Sequence, residues 1–292
     1  MSKGLFSVSP GPYIRKGNCV NKIILDFIIG LVPATIAGLY FYGVDGFKII
    51  LAALVTSIIA EGTWNKLILK KKFFDDLSPI LNGLLLALIM PTYVPMWIVV
   101  IGSLFGVIVV KKFFGGYGQN FMEPTAATKA FLIASWASVM AKPVTESVGV
   151  TSEGVTLIHK FIGQPVGNIG EGSILAILIG GVYLLLRGRI SIRAPFAFIV
   201  AATVFCVYNG KPYLLPGAFY FSAIFLATDY ATSPITNWGQ VIFGSLAGIL
   251  AAVIAVKGYN PEGPYYAIII MNLAAPLIEY LTTKTYKKGC VK

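Results

Sequence analysis

Residues 23–42 read IILDFIIGLVPATIAGLYFY, twenty positions with one charge, Asp26. A run of that length and composition is what an α-helix needs to cross the hydrocarbon core of a bilayer. The residues before it, 1–22, are polar and basic and include Ser9, Pro10, Gly11 and Pro12. They lack the apolar core and small-residue cleavage site of a secretory leader, so the run is expected to be retained as a membrane span.

Similar runs recur along the chain at 47–60, 77–90, 96–110, 126–140, 173–186, 194–208, 217–227, 241–256 and 265–281. With 57% hydrophobic and 12% charged residues and a mean hydropathy of +0.79, the chain falls far from the quarter-charged composition of soluble domains. The expected fold is an all-α polytopic membrane protein with about ten transmembrane helices. Lys and Arg alternate with the loops. Lys3, Arg15, Lys16, Lys22, Lys66, Lys70, Lys71, Lys72, Lys111, Lys112, Arg187, Arg189, Arg193, Lys284, Lys287, Lys288 and Lys292 fall on one side, against Lys48, Lys142, Lys160, Lys211 and Lys257 on the other. Lys129 falls inside a run. This bias places both termini in the cytoplasm, and the polar interval from about 142 to 171 outside. It also explains the net charge of +11 as topology rather than as nucleic-acid binding. Cys19, Cys206 and Cys290 are too few and too scattered to define a disulfide framework, an iron–sulfur cluster or a zinc site.

Several runs are short and punctuated. Leu77-Ser78-Pro79-Ile80-Leu81-Asn82-Gly83 is followed by Pro91 and Pro95, and Leu214-Leu215-Pro216-Gly217 by Pro234. Irregular backbone at membrane depth survives only where protein or a polar cavity satisfies it, so these are expected to be interior helices. Gly102-Ser103-Leu104-Phe105-Gly106-Val107 recurs as Gly244-Ser245-Leu246-Ala247-Gly248-Ile249, and Pro79 stands at a similar distance from Pro216. An offset of five runs makes a second copy inverted in the membrane. The expected organisation is one integral membrane domain, 1–292, with a first repeat at about 23–141, an external loop at 142–171 and a second repeat at about 172–283. Small-residue helix faces also look alike by chance.

Ionisable or strongly polar groups in or beside apolar runs are functional candidates, because each costs at least ~2.5 kcal/mol at a helix centre. Asp26, Glu61, Asp76, Asp229, Glu279, Asn82, Asn120 and Asn272 qualify, with helix capping or interhelical hydrogen bonding as the plainer role. Asp229 stands out within Ala227-Thr228-Asp229-Tyr230-Ala231-Thr232-Ser233-Pro234, a dense set of oxygens that could hold an ion, bind a polar cofactor or simply cap a turn. In Phe114-Gly115-Gly116-Tyr117-Gly118-Gln119-Asn120 the glycines permit close backbone approach, with a tight turn as the alternative. The 142–171 loop holds Thr145, Ser147, Thr151, Ser152, Thr156 and the sole histidine, His159. On composition it reads as polar, external and able to bind an anion.

These stretches, together with Ser9-Pro10, Leu31-Val32-Pro33-Ala34, Ala60-Glu61, Gly167-Asn168-Ile169-Gly170-Glu171-Gly172-Ser173 and Met271-Asn272, closely resemble the RnfD/NqrB family in order along nearly the whole chain. The length is nearer to the RnfD chains than to the longer NqrB chains. The resemblance implies a threonine that carries FMN through a phosphoester bond, at the end of a Ser/Thr-Gly-Ala-Thr motif in an external loop. The matching stretch is Glu153-Gly154-Val155-Thr156, with Glu153 in place of the first Ser/Thr and Val155 in place of Ala; Thr151 is the competing position. It implies a redox subunit of the Rnf complex, an ion-translocating ferredoxin:NAD oxidoreductase coupled to export of Na⁺ or H⁺ across a bacterial or archaeal cytoplasmic membrane. It leaves room for a second, non-covalent flavin such as riboflavin beside Asp229 and Asn120. Partners would be the other membrane and peripheral subunits, including a second flavin subunit and those holding iron–sulfur and NAD sites, and a flavin-attaching transferase. The main alternative is a cofactor-free transporter or channel of inverted-repeat type.

Overall fold

The computed structural model describes residues 20–74, 76–140, 161, 163, 167–210, 215–258 and 260–289, with side chains to 283. Every predicted run falls on helix, and no strand occurs among the described residues. In chain order the helices are α1 (Val20–Leu67), α2 (Ser78–Leu88), α3 (Met96–Leu104), α4 (Pro124–Ser135), α5 (Ala137–Met140), α6 (Ile174–Leu186), α7 (Arg193–Tyr208), α8 (Gly217–Phe221), α9 (Asn237–Lys257) and α10 (Gly263–Gly289). Two helices relax into wider π-turns before they end: α3 continues as Phe105–Lys112 and α8 as Ser222–Leu226.

The first two predicted runs form one rod broken at Gly43, where φ of 55° and ψ of −132° require a residue without a Cβ. Val20–Leu67, Asn237–Lys257 and Gly263–Thr283 are long and apolar enough to cross a membrane by length and composition. Large apolar side chains face outward along the bundle, among them Ile36, Leu186, Val204 and Leu277, as a lipid solvent requires.

The two short helices are interior, as their punctuation suggests. In α2 every residue except Ile80 is buried, and Ser222–Leu226 is wholly buried. Helix starts are set by local chemistry. Asp76 accepts the Ser78 N–H at 3.0 Å ahead of Pro79, Glu123 accepts the Ala126 N–H at 2.5 Å ahead of α4, and Thr236 accepts the Gly239 N–H at 3.1 Å ahead of α9. Glycines then let helices touch. A Cβ on Gly180 of α6 would lie 2.0 Å from the Gly30 carbonyl of α1, and Cβ atoms on Gly244 and Gly248 would strike the carbonyls of Ala194 and Phe198 in α7 at 2.4 and 2.2 Å. The first copy of the recurring motif does the same work: Gly102 and Gly106 face Leu132 and Thr128 of α4. Close helix packing thus accounts for both copies of the motif.

Candidate functional site

The two π-turns end beside the same pocket, a narrow space of about 20 Å³, room for about one water, between α1, α2, α4 and α8. Phe27, Leu81, Leu85, Pro124 and Phe225 line its apolar part; Asn82, Lys111, Tyr117, Asn120, Glu123 and Asp229 supply the polar groups. Polar groups converging beside an apolar wall mark a candidate binding position, and π-turns recur at such places. Asn120 and Asp229, far apart in sequence, are brought together here.

Each polar group is held. In the tight turn Gly115, Gly116 and Gly118 all have positive φ, and Asn120 accepts the Gly118 N–H at 3.3 Å while donating to the Met122 carbonyl at 3.0 Å. Asp229 accepts the Thr232 hydroxyl at 3.1 Å, and its carbonyl takes the Ser233 hydroxyl at 2.7 Å. The aspartate therefore caps a turn and lines the pocket at once. The described residues hold no group of three or more His, Cys, Asp or Glu suited to a metal ion. Asn272 of α10 braces the same region: in the amide orientation that satisfies both ends, it accepts the Glu123 N–H at 2.9 Å and donates to the Ile268 carbonyl at 3.3 Å. Burial pushes the Glu123 carboxyl up to about 7, with Asp229 adding to the shift, and burial likewise raises Asp229. Asn82 is different. It is 9% exposed, and its amide nitrogen has no hydrogen-bond partner. An unpaired buried amide costs about 1–3 kcal/mol, which suits a position that meets a ligand.

Lys111 reaches the pocket from the end of the π-turn, 5.8 Å from the centre of the Tyr117 ring. It belongs to a buried ionic network. Its ammonium donates to Glu61 at 2.6 Å and to the Ser78 hydroxyl at 2.5 Å, while Lys112 reaches Glu61 at 2.8 Å and the Asn65 amide oxygen at 2.9 Å. Asp26, at the start of α1, pairs with Arg189 at 2.6 Å and Arg187 at 3.1 Å, and accepts the Tyr183 hydroxyl at 3.2 Å. Glu61, Asp26 and Asp76, candidates on sequence grounds, serve here as structural anchors. Sequence reasoning misses Lys111 and Glu123, although the Pro following Glu123 marks a helix start that its carboxylate could cap. Glu153, Gly154, Val155 and Thr156, with Thr151 and His159, lie outside the described residues.

Helices long and apolar enough to cross a membrane, with large apolar side chains facing outward, define an integral membrane protein. Residues 7–288 match the model of the NQR2, RnfD, RnfE family, and the chain belongs to that family. It is 36% identical to the D chain of the Na⁺-translocating ferredoxin:NAD⁺ oxidoreductase complex of Acetobacterium woodii, over 94% of this chain and 93% of that protein. It is 29% identical to the D chain of the proton-translocating ferredoxin:NAD⁺ oxidoreductase complex of Clostridium ljungdahlii, over 97% and 96%. It is 32% identical to the D chain of the ion-translocating oxidoreductase complex of Methanosarcina acetivorans, over 95% of each protein.

Proposed function

We propose that the chain is a flavin-carrying membrane subunit of an ion-translocating ferredoxin:NAD oxidoreductase complex, the complex that two of its relatives' names give. The reading includes ten spans in two inverted five-helix repeats, cytoplasmic termini and an external 142–171 loop. FMN is joined through its phosphate to Thr156, flanked by Glu153, Gly154 and Val155. A second, non-covalent flavin would be held beside Asn120 and Asp229, with Asn82 next to them, and the narrow pocket would have to open to admit it. Bound flavin supplies the acceptance and release of one or two electrons. This chain's own residues bind and tune. Asn82 offers an unpaired amide to a polar ring edge, and Phe27 and Phe225 supply apolar walls. Burial raises the Glu123 carboxyl to about 7 at the pocket rim, and raises Asp229 beside it. Lys111, paired with Glu61, lines the same pocket. NAD and iron–sulfur sites belong to partner subunits, and the ion is Na⁺ or H⁺, as the relatives' names divide.

The observation that carries the reading is the unpartnered Asn82 amide in a pocket it shares with Asn120 and Asp229, within this family. A cofactor-free transporter would use the same interior helices for permeation and would carry no chromophore. Intact-mass analysis with in-gel fluorescence tests the covalent part, with the flavin-attaching enzyme co-expressed. The wild type is expected to gain the mass of one FMN and to fluoresce, and Thr156→Ala to do neither. Fluorescence surviving in Thr156→Ala would move the attachment to another residue, with Thr151 next; a dark wild type would remove it altogether.

A further inference from the structure

At the end of α2 away from Lys111 lies a second ionic cluster that has no part in the pocket. Lys129 of α4 is fully buried. Its ammonium donates to the Ile89 carbonyl at 2.8 Å and the Asn168 amide oxygen at 3.2 Å, and pairs with Glu262 at 3.0 Å. The Asn168 amide nitrogen donates to Glu171 Oε1 at 2.8 Å, and the Tyr265 hydroxyl of α10 donates to the same oxygen. The turn that carries Asn168 and Glu171 is pinned to the end of α2: the Ile169 N–H reaches the Met90 carbonyl at 3.1 Å, and the Gly170 N–H the Leu88 carbonyl at 2.6 Å. A Cβ on Gly217 would lie 1.9 Å from the Glu171 carbonyl oxygen, so α8 closes the cluster from another side.

The charges do not balance. Among the described residues two carboxyl groups face one ammonium, and Lys129 neutralises only one of them. The second negative charge, if kept, would be buried without a counter-ion, which costs several kcal/mol. Among the described residues, Tyr42 of α1, bonded to the Gly167 carbonyl at 2.9 Å, Tyr93 of the α2–α3 turn, and Tyr265 and Tyr266 of α10 are the other titratable groups facing these carboxyls. Phenols are uncharged at neutral pH and cannot supply the missing positive charge. The two carboxyls also differ in access. Glu171 is 7% exposed and takes two hydrogen bonds on one oxygen, whereas the Glu262 side chain is 18% exposed, with its Oε2 turned inward and unpartnered.

We propose that Glu171 and Glu262, held by Lys129, form a site that takes up and releases one proton, with Glu171 carrying it and Glu262 linking it to water. On uptake a proton from water passes by way of the part-exposed Glu262 carboxyl to the Glu171 carboxylate, forming one O–H bond and leaving the described cluster neutral; release returns the proton to water. Burial and the neighbouring Glu262 push the Glu171 carboxyl up to about 7, against the pull of Lys129, so both states are accessible near neutral pH. The site stands at the joint between the 142–171 loop and α2, α4 and α10, and does not depend on any bound flavin.

Infrared spectroscopy of the full-length protein in lipid nanodiscs, titrated across neutral pH, reads protonated carboxyls directly. Glu123 contributes its own signal, so the Glu171 share is the difference between wild type and Glu171→Gln. That difference is expected to be one carboxyl with a midpoint near 7. Glu262→Gln removes a neighbouring negative charge and should lower the midpoint. Lys129→Met removes the positive one and should raise it, each by about one pH unit. These opposite shifts carry the test if Glu171→Gln fails to fold. The proposal is overturned if no carboxyl titrates in the difference, or if Glu262→Gln and Lys129→Met move the midpoint in the same direction. Sodium that competes with the proton in wild type would likewise overturn it, in favour of a metal-cation site.

Discussion

Glu61→Gln is the sharpest probe of the network beneath the pocket. The Glu61 carboxylate sits at 1% exposure and receives Lys111 at 2.6 Å and Lys112 at 2.8 Å, with the Ser78 hydroxyl at 3.2 Å. Glutamine keeps the shape but removes the charge, leaving two nearly buried ammoniums with Asp76 as the remaining nearby carboxylate among the described residues. Removing one partner of a buried pair costs about 3–5 kcal/mol, and the low exposure leaves little solvent screening to reduce it. On the size scaling of thermal unfolding this is a fall in Tm on the order of 10 °C. Lys111→Met should cost less, because Lys112 still neutralises Glu61. The double variant should lie above Glu61→Gln alone, because one uncompensated cation has been removed. Thermal unfolding in detergent at a fixed scan rate, run on all four proteins, gives the cycle. A Glu61→Gln variant within about 2 °C of wild type, or strictly additive effects in the double variant, would refute the reasoning.

Two further outcomes follow from the packing and the pocket. Gly180→Ala drives a Cβ to 2.0 Å from the Gly30 carbonyl, so α1 and α6 must separate; a loss of about 1–3 kcal/mol is expected in thermal unfolding, and an unchanged Tm would show that the contact is looser. Asn82→Leu fills the pocket side of α2 without leaving a buried amide unpaired, so it should leave Tm within a few degrees of wild type while abolishing retention of the non-covalent flavin alone; a large fall in Tm would assign Asn82 a structural role instead.

The apolar runs were legible because lipid selects for composition over length, and each falls on helix. The short punctuated runs were legible as interior because Pro and Gly at membrane depth require protein around them. Asn120 and Asp229 were each marked by local sequence, but their meeting in one pocket depends on how α4 and α8 pack. The pairing of Glu61 with Lys111 was not legible. Lys111 sits beside a basic pair that reads as a cytoplasmic anchor, and only the helix packing carries it back to α1. Nor were the π-turns, since an i→i+5 register has no signature in hydropathy. Lys129 looked like a stray charge within a run, and its partners come from the α2 end, the 168–171 turn and the α9–α10 turn. The Thr156 motif was readable only by resemblance.

The central claim is that this chain holds flavin as an electron-transfer subunit, and the flavin inventory of the purified protein tests it most directly. After co-expression with the flavin-attaching enzyme, the account predicts a visible flavin spectrum that bleaches on chemical reduction. Denaturation should then release one flavin, absent from Asn82→Leu and Asp229→Ala, and leave another on the chain, absent from Thr156→Ala. A colourless protein with neither fraction would contradict the account and favour a cofactor-free transporter.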